Sequence, residues 1–251
     1  MIRARSTLLV GLSSLLLLAS CREPLPVRVV VVTLDTLRYD ALDPDRAPDG
    51  AAADGGESSM PLLLARAREG ALFERFYAAT SVTQPSHASM FTALHPWEHG
   101  VVSNGQVLDE RFDTVAEVLR GEGFATAAVV ASFPVAARFG FAQGFDSFDD
   151  RFTEGRLPRR RWEGHAVTGA FYSLADTVTE RALMHLGSPG RDPETGRPRD
   201  QFLWVHYFDP HDPYGDTGGG PSHPLRAARR AIEAGRDVAP VLAAFREAYA
   251  R

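Results

Sequence analysis

The chain has 251 residues, 44% of them apolar, and a formal net charge of −5. That length suits one large α/β domain or two small ones, and the mildly acidic balance excludes the basic footprint expected of a nucleic-acid partner. All 27 basic residues are Arg, and the single Cys, Cys21, excludes an internal disulfide.

Residues 1–21 read as an export signal. Arg3 and Arg5 precede an apolar run from Leu8 to Leu18, and small residues follow. The run is too short for a comfortable membrane span. It ends in "LASC", Leu18 to Cys21, which resembles a bacterial lipobox. The simpler alternative is an export signal with an incidental Cys. The lone Cys stands where a lipid signal needs it, so Cys21 is the expected lipidation site, with acyl chains holding the domain at a membrane surface. Arg22 follows it instead of Asp. By resemblance to Gram-negative lipoproteins, this implies an exported protein of the cell envelope, at the outer membrane or facing the periplasm.

"VRVVVVTLD", Val27 to Asp35, is a continuous β-branched run, which predicts a strand buried on both faces of a parallel sheet. Ala41 to Ser59 is rich in Gly, Pro, Asp and Ala and reads as loop. A helix is expected from Pro61 with Gly70 as its stop, and a second one in "TQPSHASMFTAL". Asp113 is placed to cap "TVAEVLRGEG". Phe124 to Ser132 reads as a second buried strand, "RFGFAQGFDSFDD" as an ordered loop, and "RLPRRRW" as a solvated basic surface. Helical spacing runs from Ala170 to Leu186, "GSPGRDPETGRPRD" reads as loop, and Gln201 to Phe208 as a third buried strand. "YGDTGGGPSH" reads as flexible, and Leu225 to Arg251 as one or two helices broken at Pro240. Strands alternating with helices predict an α/β fold, a mostly parallel sheet sandwiched by helices. Ligands of such sheets collect beyond the carboxyl ends of the strands, where Asp35, Asp209 and His211 fall.

Three stretches carry candidate chemistry. Asp35 directly follows a buried strand, with Asp40 a few residues on; a carboxylate there needs a hydrogen bond, a counter-ion or a metal. It is equally able to cap a turn. In "TQPSHASMFTAL", Thr83 begins a helix whose first turn contains Pro85. Backbone amides at that end attract anions, and a hydroxyl there is placed to attack a phosphoryl or sulfuryl centre if a metal or base activates it. Thr83 and Ser86 also fit as plain helix caps. His95 and His99 have the spacing of a zinc pair, but Pro96 pushes His95 out of helical geometry. In "HYFDPHDPY", metal ligation, transition-state contact and loop structure stay open for His206, Asp209, His211 and Asp212, with His211 favoured because it lies just past the strand.

Taken together, these stretches resemble the sulfatase branch of the alkaline phosphatase superfamily. "VVVVTLDTLRYD", "TQPSHASMFTALHPWEHGV" with Asn104, "GFATAAVVAS" with "FGFAQGFDSFDD", and "FLWVHYFDPHDPY" stand in the order of that family, across Arg28 to Tyr214. The resemblance implies hydrolysis of sulfate or phosphate esters, small or on a glycan, through a covalent intermediate. It implies Thr83 as nucleophile, Asp35 and Thr83 as ligands of a divalent metal (Ca, Mg, Mn or Zn), His87 and His211 as catalytic contacts, and Asn104 at the substrate. The chain departs from the pattern in several places. Thr83 stands where formylglycine enzymes carry Cys or Ser, His87 where they carry Arg, Thr36 at the second Asp, and Ala131 to Pro134 at a Lys–His segment. A Thr nucleophile instead resembles the phosphodiesterases and phosphoethanolamine or phosphoglycerol transferases of the superfamily. The family's later Asp–His metal ligands are not found, so residues 27–251 are expected to be a partial domain. The alternative is a non-catalytic sulfatase-fold lipoprotein that binds anions.

Overall fold

The computed structural model describes residues 25–38, 42, 60–73, 75–155, 161–188, 190–211 and 234. Cys21, Asp40 and Asp212, the loop read at Ala41 to Ser59 (all but Leu42), "YGDTGGGPSH" and the helices read beyond Leu225 (all but Ala234) lie outside them.

Four parallel strands form the main sheet, in the order β1 (Arg28–Leu34), β6 (Gln201–Tyr207), β2 (Ala125–Val130), β3 (Ser147–Asp149). β6 is central, and its alternating side chains fill both faces. Phe202 and Trp204 join the core with Ala88 and Phe91 of helix α2 (Thr83–Thr92) and Ala116 of α4 (Val115–Gly121). Leu203 and Val205 face the other way, against Val178 and Ala182 of α5 (Ala175–Gly187). The expected sandwich of helices around a parallel sheet is what forms. α1 (Pro61–Glu69) begins at Pro61 and ends before Gly70, as the Pro and Gly signals require. α3 (Pro96–His99) is a single turn after His95, whose backbone is extended (φ −76°, ψ 157°), as Pro96 dictates.

Three expectations are corrected and a fourth is refined. β1 is an edge strand of the described sheet, not one buried on both faces; Val30 and Val32 are 43% and 52% exposed. The cap of α4 is Thr114, whose hydroxyl accepts the Glu117 N–H while Glu117 accepts the Thr114 N–H at 2.9 Å, a capping box that outcompetes Asp113. The aromatic loop read at "RFGFAQGFDSFDD" contains β3, which Thr126 and Asp146 tie to β2. Part of "RLPRRRW" is also strand: Arg161 is exposed, as expected of a solvated surface, while Trp162 is half-buried. β4 (Arg161–Trp162) pairs antiparallel with β5 (His165–Ala166) across Glu163 and Gly164, both at positive φ, and Trp162 stacks edge-on against Phe133. Gly144 also has a positive φ, of 83°, and a methyl there would collide with the backbone of Ala116 and Glu117, so only Gly lets the loop meet α4.

Candidate active site

The carboxyl ends of β1, β6 and β2 align. Asp35 N–H donates to Tyr207 O (3.0 Å) and Ala131 N–H to His206 O (3.0 Å), so Asp35, Phe208 and Ala131 leave the sheet along one edge. α2 begins over that edge. An open cleft of about 490 Å³ lies between them, lined by Asp35, Thr36, Arg38, Thr83, Ser86 and His87 among others. Its size is in the range of small-molecule sites.

At its floor Thr83 Oγ1 donates to Asp35 Oδ2 at 3.3 Å, across 48 residues of chain. Burial alone would raise the Asp35 pKa. The contact with His206, Nε2 to Oδ2 at 3.7 Å, and the nearby rings of His87 and His211 outweigh it, so the carboxyl is held below its ordinary value. Thr36, next in the chain, has φ 57°, costly for a β-branched residue. Its hydroxyl donates to Pro210 O (3.3 Å), which ties the end of β1 to the loop after β6.

His87 is buried one turn along α2. Its Nδ1 lies 2.8 Å from Thr83 O, and a carbonyl only accepts, so the proton sits on Nδ1. Burial, followed by the field of His206, pushes its pKa down to about 4, against the opposing pull of the Thr83 carbonyl and Asp35. At neutral pH His87 is therefore an uncharged ring with a lone pair on Nε2, and among the described residues that nitrogen has no hydrogen-bond partner. In that state it brings no positive charge to the cleft.

That shift predicts a pH dependence of stability. The unfolded ring binds its proton near pH 6.5 and the folded ring only near pH 4, so stability falls as pH drops through that window. The loss attributable to this ring is about 3 kcal/mol. Denaturant unfolding at pH 7 and pH 4.5 should show a smaller loss for His87→Gln than for the wild type; equal losses would contradict the assignment.

The other expected residues divide. His211 lies on the same edge, stacked on Phe208 (4.3 Å between centroids), close enough to contribute to the lowered Asp35 pKa. Asn104 sits behind α2, where Oδ1 accepts the Gln84 N–H at 3.0 Å, and it is not part of the cleft lining. Pro85 has no N–H and Ser86 N–H bonds Val82 O, which among the described residues leaves only the Thr83 amide for an anion at this end. Asp209 Oδ1 accepts the Ala175 N–H at 3.0 Å and so caps α5. His95 and His99 do not converge on a metal: His99 Nδ1 accepts the Val101 N–H and Nε2 meets Ser89 Oγ, while His95 stacks on Trp97. Arg38 escaped sequence reasoning, and His206 stood there only as one of four open candidates. Arg38 lines the cleft, and His206 sits beneath Asp35. Alternation along "FLWVHY" from buried Trp204 was the one signal that put His206 on the inner face.

Asp35 and Thr83 offer two hard oxygens, a donor type that suits Mg, Ca, Mn or Zn. They fit one part of such a coordination shell. Among the described residues no group of three or more His, Cys, Asp or Glu could hold a metal ion.

A parallel sheet between helices, with a carboxylate and a helix-borne hydroxyl meeting past its strand ends, defines an α/β protein with a candidate site at the carboxyl edge of its sheet. The chain belongs to the sulfatase family, whose model matches residues 28–223. The family generally uses a divalent metal. No curated protein matches the chain in sequence. Among solved structures it is similar to the phosphonate monoester hydrolase of Agrobacterium radiobacter, at 20% identity and TM-score 0.49, covering 83% of this chain and 48% of that one. It is also similar to the soluble domain of lipooligosaccharide phosphoethanolamine transferase A from Neisseria meningitidis, at 17% identity and TM-score 0.48, covering 76% and 48%. A third similar structure holds its substrate, D-glucosamine-2-N, 6-O-disulfate, at 19% identity and TM-score 0.49, covering 75% and 35%. The chain spans 35% to 48% of the length of these three structures.

Proposed function

We propose that the whole protein hydrolyses sulfate or phosphate esters with the help of a divalent metal, Thr83 acting as nucleophile and Asp35 holding the metal. The observation that carries this reading is the Thr83 Oγ1–Asp35 Oδ2 contact of 3.3 Å at the floor of the cleft. When bound, a divalent cation supplies Lewis-acid stabilisation of charge on the ester oxygens. Asp35 stays ionised across the ordinary pH range, accepts the Thr83 hydroxyl proton in a hydrogen bond, and turns an oxygen lone pair toward the cleft. His87 fixes the Thr83 carbonyl from behind. The Thr83 Oγ bond to sulfur or phosphorus forms as the bond to the alcohol oxygen breaks; Thr83 gives up its hydroxyl proton to solvent, and the departing alcohol takes up one from solvent beside His211. Water then cleaves the ester on Thr83 and restores the hydroxyl.

A second reading, a non-catalytic anion-binding module, draws on the small number of metal-binding oxygens among the described residues. One experiment separates the two. The whole gene product is assayed on 4-nitrophenyl phosphate and 4-nitrophenyl sulfate, then chelated and resupplied with Mn, Mg, Ca or Zn. The catalytic reading expects turnover that disappears on chelation and returns with one of the four metals. Phosphate binding without turnover under any of them would favour the module.

A further inference from the structure

We propose that His206 is the positioning residue for Asp35 and, through it, for Thr83; this rests on the catalytic reading above. His206 is completely buried, and among the described residues neither ring nitrogen has a hydrogen-bond partner. Its Nε2 lies 3.7 Å from Asp35 Oδ2, the oxygen that also takes the Thr83 hydroxyl. The ring is held on every side. Trp204 meets it edge-on at 6.1 Å, His87 lies 5.1 Å away, and its backbone pairs in register with Thr33 and bonds Ala131.

Stability alone does not account for an imidazole here. A buried polar ring without partners costs free energy that an apolar side chain of similar volume would not. What the ring offers is an N–H beneath the carboxylate, within a small movement of a hydrogen bond to Oδ2. Support of this kind fixes the orientation of a ligating carboxylate and leaves its second oxygen for the cleft. Asp35 thus has two restraints, Thr83 from α2 and His206 from β6, so the distance between nucleophile and metal ligand is set by the sheet and not by a loop.

The test uses His206→Leu and His206→Gln in the whole gene product. Leu fills the space without a donor, and Gln restores an N–H near the place of Nε2. Thermal unfolding, kcat and KM on 4-nitrophenyl phosphate and 4-nitrophenyl sulfate, and calorimetric titration with Mn²⁺ are measured for each. The Leu variant should unfold no earlier than the wild type, yet lose about 10- to 100-fold in kcat and in Mn²⁺ affinity, with KM shifted less than about threefold. The Gln variant should recover most of both. A Leu variant within about threefold of wild type in kcat and Mn²⁺ affinity overturns the proposal. So does a Leu variant that fails to fold, or a Gln variant as impaired as the Leu one, since packing would then be the ring's role. A wild type that binds Mn²⁺ but turns over neither ester contradicts the catalytic reading alone, and the titration then decides on His206. A wild type that binds none of Mn²⁺, Mg²⁺, Ca²⁺ and Zn²⁺ contradicts both, and one that binds another of the four is titrated with that metal in place of Mn²⁺.

Discussion

Replacing Thr83 by Ala is expected to lower kcat for ester hydrolysis by the whole protein by on the order of 10³-fold or more while the protein stays folded. Among the described residues the hydroxyl is the only helix-borne oxygen that contacts Asp35, so no described neighbour replaces it without a move of the backbone. Ser86 lies on the same helix and lines the same cleft, but no contact joins it to Asp35 among the described residues. The structural loss is small. One partly buried hydrogen bond disappears, about 1 kcal/mol, while the Thr83 carbonyl keeps its bond to His87. Thr83→Ser keeps the oxygen and should retain turnover within about tenfold. The measurement is kcat for the wild type and both variants beside their unfolding midpoints. An Ala variant with wild-type kcat would remove Thr83 from the chemistry.

Trp204→Ala should be the most damaging change to the fold, costing about 3–5 kcal/mol. Trp204 is fully buried at the centre of the middle strand, and its ring packs on Phe91 (4.6 Å), His87 (5.8 Å) and Phe145 (6.2 Å). Its Nε1–H donates to Thr33 Oγ1 at 3.0 Å, a side-chain link between β6 and β1. Truncation leaves a cavity between the sheet and α2 and an unpaired Thr33, beside the strand end that carries Asp35. A domain stabilised by about 5–15 kcal/mol loses a large share of its margin. Trp97, 72% exposed, is the control: Trp97→Ala should shift stability by about 0.5 kcal/mol or less. Guanidinium unfolding of both variants checks the contrast, and a similar small effect for the two would contradict the packing described.

The sheet was legible because buried strands carry their own signature. "VVVVTL", "FATAAVVAS" and "QFLWVHYF" are apolar runs of strand length, and all three form strands. Burial of β1 on both faces was not legible, since an apolar run does not reveal whether a further strand or helix covers Val30 and Val32. Thr114 as the cap of α4 was readable, because Glu117 stands three residues on and completes the box, whereas Asp113 has no such partner. The hairpin at Glu163–Gly164 was hidden by its arginines, which read as surface charge. Asp35 and Thr83 were each visible as candidates, one after a buried run and one before a helix. Their meeting was not, because it depends on β6 inserting beside β1 and on the path of α2 over the strand ends. That proximity came from resemblance to a family, and the 3.3 Å contact now gives it a physical basis. His206 needed the register with Thr33, which chain order does not contain.

The central claim is that Thr83 makes a covalent bond to the substrate. Mass spectrometry of the whole gene product, acid-quenched during turnover of a phosphate or sulfate ester, tests it most directly. The prediction is one phosphoryl or sulfuryl group on the peptide that carries Thr83, absent when Thr83 is Ala. Turnover with that peptide unmodified at every quench time, or with the group on another residue, would contradict it.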